Sequence, residues 1–268
     1  MKNEIEVLNS LFEYAYLLSK VKIKKNEKWN IKAAFIIFKQ AVDNIGTALA
    51  FLPDSPIQSQ FKRLSISLIA SLCRISIDNF IAISYLIQDR SDNIRSLQEL
   101  SWIQAIDSEK LEMVKYIDTP NPVISQLKTN VVERETQIRN HPHFSKLEKK
   151  VSNSCARGFS DKIYRPDQIV EKLGIDRSIF WPMYTHYSQF IHSTSFAINQ
   201  NAAFLSGQKG ALDILKIYIA DLSGIFSLTI NVFADGFNIN LKKEAPIGIL
   251  RTLLFWDGYF HWRYKKDE

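Results

Sequence analysis

The chain has 268 residues, 46% of them hydrophobic and 23% charged, a balance that supports a sizeable core and excludes wholesale disorder. Nine glycines and eight prolines are too few to punctuate a sheet-rich fold, so long helices are expected. Two distant cysteines, Cys73 and Cys155, make neither a disulfide framework nor a zinc spacing, which places the chain in a reducing cytoplasm as an expectation.

In chain order, Ile5, Leu8, Leu11, Phe12, Ala15 and Leu18 recur at helical spacing and predict a helix over 4–19. A second helix spans 30–51, and a third begins at Pro56 after the Ser55 cap and runs to Gln88. A fourth covers 92–117, up to the break Asp118-Thr-Pro-Asn-Pro122. A more polar half-domain follows, with helices at 123–139, 144–155 and 166–173, the last stopped by Gly174. Asp176 caps a helix over 177–203, another spans 210–233, and Pro246 opens the last. The aromatic tail Phe255, Trp256, Tyr259, Phe260, Trp262 and Tyr264 is expected to pack back on the core.

These elements predict a single all-α domain over 1–268, a bundle of eight or nine helices. Its core is expected at 30–117 and 177–262, with a small basic side lobe at 123–174. The N-terminus lacks a signal-peptide core. Arg74, Asp78 and Asn79 interrupt the apolar run 66–87, and 222–234 is too short to cross a bilayer, so no transmembrane helix and no membrane partner are expected.

From Ser178 to Gln208 there is no Asp, Glu, Lys or Arg, yet hydrogen-bonding side chains abound. A surface helix carries charges on its outer face, so this one is expected to be covered on most sides, each polar group needing a partner. Thr185, Ser188, His192, Ser195 and Asn199 form a polar stripe along it, and His192 is the member with an acid/base side chain. On the third helix Arg74 and Asp78 lie four apart and share a face. If the two helices pack together, Arg74, Asp78, Tyr184, Ser188 and His192 converge. They would bring an acid/base, a hydroxyl and a cation for an anionic transition state.

Between Arg139 and Arg165 seven basic residues face two acidic ones, Glu148 and Asp161, so most of the net charge of +6 sits there. Arg139, Lys146, Lys149, Lys150 and Arg157 are the candidate phosphate contacts, for RNA or a nucleotide. His141-Pro-His143 supplies only two ligands, so no metal site is assigned. No P-loop or dinucleotide fingerprint indicates a cofactor.

Arg74-Ile-Ser-Ile-Asp78 and Tyr184-Thr-His-Tyr187-Ser188-Gln-Phe-Ile191-His192 resemble an uncharacterised family of bacterial all-helical proteins. That family carries an R-x-x-x-E helix and a Y-x-x-x-S-x-x-x-H helix; Asp78 stands at the place of its Glu. The resemblance covers about 64–203 and implies a phage-defence or toxin setting. Arg134 and His141 are similar in spacing to the Arg and His of HEPN-type helical ribonucleases, with Glu135 where a polar Asn, Asp or His usually follows the Arg. Two functions remain open at this point. One is an enzyme acting on RNA or a nucleotide through His192 and Arg74. The other is an interaction or sensor module, meeting a protein partner or a second copy, whose Arg74, Asp78, Ser188 and His192 form a structural network.

Overall fold

The computed structural model describes residues 1–52, 66–89, 91–114, 122–192 and 210–261. Among them every regular element is helical: α1 (Lys2–Leu18), α2 (Trp29–Phe51), α3 (Ile66–Gln88), α4 (Asp92–Val114), α5 (Pro122–Arg139), α6 (Lys149–Ala156), α7 (Pro166–Lys172), α8 (Arg177–Ile191), α9 (Ala211–Gly236), α10 (Leu241–Glu244) and α11 (Ile247–Phe260). The all-α class is as expected. Eleven helices occur among the described residues, more than the eight or nine anticipated; the one-turn α10, set by a local turn and not by an apolar period, has no counterpart among the predicted elements. The segment 144–155, expected as one helix, is a 3₁₀ turn at Phe144–Lys146 followed by α6. The start of the third predicted helix and the second half of the 177–203 helix, with Ser195 and Asn199, lie outside the described residues.

By compactness the chain divides into Met1–Ser84 with Val170–Glu268, and Tyr85–Ile169. In the first unit α1 buries one stripe, Ile5, Leu8, Leu11, Tyr14, Ala15 and Leu18, and packs on α2 and α9. Phe38 of α2 stacks on Phe233 of α9 with ring centroids 3.7 Å apart. α11 closes on α9 at Gly224, where an added Cβ would stand 2.9 Å from the Trp256 ring; the missing side chain permits the approach. α7 ends at Gly174 with φ +73°, and Asp176 caps α8 by accepting from the Ser178 N–H at 2.7 Å, both as the sequence predicts. Within the described part of the aromatic tail Phe260 is buried, whereas Phe255 and Tyr259 are exposed; Trp262 and Tyr264 lie outside the described residues.

The second unit is held by an unusually polar helix. α4 buries Leu97, Gln98, Ser101, Gln104 and Asp107. The Gln104 amide donates to the carbonyls of Val131 (3.1 Å) and Ala156 (3.0 Å), so one side chain joins α4 to α5 and satisfies an orphan carbonyl at the end of α6. Tyr85, fully buried, accepts the Ile163 N–H at 3.1 Å. Such partners are needed because a buried unpaired polar group costs roughly 1–3 kcal/mol.

Among the described residues three helical stretches, Trp29–Phe51, Ile66–Gln88 and Leu212–Gly236, are long and apolar enough to cross a membrane by length and composition. The sequence predicts none, because 222–234 alone is too short to cross a bilayer; α9 begins at Ala211 and supplies the missing turns. Within the structure the apolar windows of these helices are 44%, 61% and 72% buried, respectively.

Candidate functional site

The first unit brings four of the five predicted residues together. Arg74 Nε donates to Ser188 Oγ at 2.9 Å and Nη2 to the Tyr184 hydroxyl at 2.8 Å, while Nη1 pairs with the Asp78 carboxylate. The guanidinium carbon also lies 4.1 Å from the Tyr184 ring centroid, within cation–π range. Trp181 stacks on Tyr184 at 4.8 Å and 4°. Helical spacing explains the convergence: Arg74 and Asp78 share one face of α3, and Tyr184 and Ser188 share one face of α8. The set is asymmetric in exposure. The Arg74 side chain is 14% exposed and the Asp78 side chain 55%, so the carboxylate reaches solvent from a largely covered cation.

His192, the fifth member, is the C-cap of α8, one turn beyond Ser188. Its side chain is exposed and makes no hydrogen bond or ion pair among the described residues. The expected cover over the charge-free helix is likewise incomplete: Trp181, Pro182, Thr185, Ile191 and His192 are exposed.

A second cluster, which the sequence reading missed, lies on the other side of α8. His186 Nε2 and the Tyr218 hydroxyl share a 2.7 Å hydrogen bond, and the Tyr187 hydroxyl donates to Asp221 Oδ2 at 2.6 Å. The Cys73 thiol donates to the Tyr218 carbonyl at 3.5 Å. Burial pushes the Asp221 carboxyl up, partly offset by the Tyr187 hydrogen bond, and pushes the Tyr187 and Tyr218 hydroxyls and the Cys73 thiol up as well. Burial lowers His186, which favours the neutral imidazole. His186 also lines a groove of about 380 Å³ with Trp181, Pro182, Thr185 and Gln189. The only trace of this cluster in the sequence is Asp221, a lone carboxylate in an apolar run; its partners lie more than 30 positions away in the chain.

In the second unit Arg134 and His141 have their side chains taken up by neighbours. Arg134 Nη1 donates to Asp107 at 2.8 Å. The His143 N–H donates to His141 Nδ1 at 3.2 Å, so the His141 proton sits on Nε2, which donates to Ser96 Oγ at 2.8 Å. Burial, and then His143, hold the His141 ring below the usual histidine range. Of the basic candidates, Arg139 is clamped by Glu135 at 2.6 and 2.9 Å. Lys146, Lys149, Lys150 and Arg157 are exposed and make no ion pair or side-chain hydrogen bond among the described residues. No group of three or more His, Cys, Asp or Glu able to hold a metal occurs among the described residues.

No family model, no curated protein and no solved structure matches this chain.

Proposed function

We propose that this is a defence- or toxin-type bacterial helical protein of the cytoplasm that binds or acts on RNA or a nucleotide. The observation that carries the reading is the uncompensated charge of Lys146, Lys149, Lys150 and Arg157, four exposed cations around α6 with no acidic partner among the described residues. Cations left unpaired on one helix and its flanks are the electrostatic footprint of a polyanion. In this reading the segment 123–174 works as a basic side lobe that holds the nucleic-acid backbone. The acid/base group is His192, exposed at the end of α8, and Arg74 supplies positive charge behind the same helix. The resemblance of the Arg74 and Tyr184 to His192 motifs to bacterial helical proteins supports the setting.

The test is RNA binding by fluorescence anisotropy across a salt series, with nuclease activity and growth toxicity assayed in parallel. Replacing Lys146, Lys149, Lys150 and Arg157 together by Ala is expected to reduce the slope of log affinity against log salt by about 3, near 0.7 per single-strand phosphate contact. An unchanged slope refutes the basic-lobe assignment. His192→Ala is expected to abolish cleavage and toxicity, and His141→Ala to spare them.

A second reading is favoured by one specific observation: all three guanidinium nitrogens of Arg74 are engaged by Asp78, Tyr184 and Ser188. A cation held by two hydrogen bonds and an ion pair in this way acts as a structural tie, as in a non-enzymatic interaction or sensor module. Under it, Arg74→Ala lowers stability while His192→Ala changes neither stability nor any biological activity.

A further inference from the structure

Between the first turn of α6 and the chain leading into α7, the second unit forms a cleft of about 420 Å³. Three cations line it, Lys150, Lys162 and Arg165, together with Ser154, Ser160 and Tyr164; the Ser160 hydroxyl donates to the Lys162 carbonyl at 2.9 Å. Only Lys150 belongs to the exposed basic surface described above.

The cations are held in different ways. Lys150 has no acidic partner among the described residues and is exposed. Lys162 is braced by Asp161 at 2.6 Å and stands 5.7 Å from the Trp102 ring. Arg165 is gripped by Asp167 at 3.2 Å and lies 3.6 Å from Glu148. Two anchored cations and one unpaired lysine thus border one concave space. The N-cap residue of α6, Glu148, makes no side-chain cap, so the first-turn N–H groups of that helix add to the positive character of this rim. The lining is not uniformly basic, since Glu148 and Asp161 also border the cleft. A simple polyanion track would not carry carboxylates there. A compact ligand with an anionic end and hydroxyl donors uses both signs: phosphate oxygens accept from the cations, and sugar hydroxyls donate to the carboxylates. The volume falls within the ~300–1,000 Å³ of small-ligand sites.

We propose that this cleft is a subsite for a ribose phosphomonoester, either the 5′-phosphate end of an RNA or a free nucleoside monophosphate. This rests on the RNA or nucleotide reading above and adds to it a preference for a terminal phosphate over internal phosphodiesters. The dianionic monoester carries more charge than a backbone phosphate, so it gains more from the unpaired Lys150 beside the two braced cations of the cleft.

The experiment uses the full chain and three probes: AMP, an eight-nucleotide RNA with a 5′-phosphate, and the same RNA with a 5′-hydroxyl. Affinities are read by anisotropy and by AMP competition for wild type, Lys150→Ala, Lys162→Ala and the control Lys128→Ala, an exposed position outside the cleft lining, with circular dichroism confirming the fold. Wild type is expected to prefer the phosphorylated RNA by about tenfold, as for a charge-assisted contact. Lys150→Ala, an exposed position that leaves the packing intact, is expected to erase that preference, and Lys128→Ala to keep it. Competition by AMP with the phosphorylated RNA supports the cleft and shows that the monoester suffices. Binding of AMP without binding of either RNA supports the cleft with a free nucleotide as ligand. Equal affinity for both RNAs, unaffected by Lys150→Ala, overturns the cleft while RNA binding stands. Absence of binding by all three probes overturns the cleft and the broader reading together.

Discussion

Arg74 and Ser188, 114 positions apart in the chain, are joined by a 2.9 Å hydrogen bond from the guanidinium Nε to the serine hydroxyl oxygen. That hydroxyl in turn donates to the Tyr184 carbonyl at 2.7 Å, so the arginine of α3 is tied into the backbone of α8 through one side chain. Asp78 contributes to the same cation from the solvent side.

Removing the two ends of the Arg74–Asp78 pair should have unequal effects. Arg74→Ala breaks two hydrogen bonds from a largely covered charged group and a ring contact, and is expected to lower stability by about 2–4 kcal/mol. Asp78→Ala removes a carboxylate that is more than half exposed and should cost about 1 kcal/mol or less. His192→Ala, at an exposed side chain with no hydrogen bond or ion pair among the described residues, should stay within about 0.5 kcal/mol of wild type. Urea unfolding of the three variants checks this order; equal losses for Arg74→Ala and Asp78→Ala would show the pair acting as a buried unit.

The buried cluster on α8 and α9 predicts opposing pH effects. Asp221 is raised by burial, so the folded chain holds its proton longer than the unfolded chain does. Stability from this group therefore falls as pH rises from the ordinary aspartate value of ~3.9 through the raised folded value. Asp221→Asn removes that slope and should raise the thermal midpoint near pH 7, the two proteins converging toward about pH 4, because the Tyr187 hydroxyl can still donate to the amide oxygen.

His186 is lowered by burial, so the unfolded chain takes up a proton that the folded chain resists. Its contribution is full above the ordinary histidine value of ~6.5 and is lost as pH falls below it. His186→Gln should flatten the decline of the midpoint between about pH 6.5 and 5, an effect measured by thermal melts at constant ionic strength. A decline of the same steepness in the variant would assign it to other groups.

Gly158 adopts φ +75°, and a Cβ there would stand 2.0 Å from the Ser108 hydroxyl oxygen and 3.0 Å from the Gln104 carbonyl. Gly158→Ala combines a left-handed backbone with this overlap at the end of α6. It should destabilise the second unit by about 2 kcal/mol or more. Gly210→Ala, also at positive φ but with no atom of the described residues within 4 Å, should lose only the conformational part of about 1 kcal/mol. Equal effects would show that the contact with Ser108 relaxes away.

Both thiols are buried, and burial raises Cys73 well above the usual range and Cys155 to about 11. Thiolate is the reactive species, so neither should react with an aromatic disulfide reagent at about pH 8 in the native protein. Two equivalents should react after unfolding. Fast labelling of the native chain would show that one of these sites opens.

What the sequence by itself determined was helical periodicity, most helix boundaries and the caps, because these depend on residues within a turn or two of one another. The α1 stripe, the Gly174 stop and the Asp176 cap are of this kind. The pairing of Arg74 with Asp78 and the shared face of Tyr184 and Ser188 were also legible, since four-residue spacing alone aligns them. Tertiary structure alone decided which face met what. His192 lies exposed, although the charge-free stretch around it read as covered, because composition reports the absence of charges and not the presence of a neighbour. Tyr218 and Asp221 meet His186 and Tyr187 only because α9 packs beside α8. The polar helix α4 holds its unit through Gln104 and Asp107, whose burial no apolar period announces. Hydrogen-bond partners far apart in the chain leave no periodic mark, and so the second cluster and the cleft beside Lys150 emerged only from the folded chain.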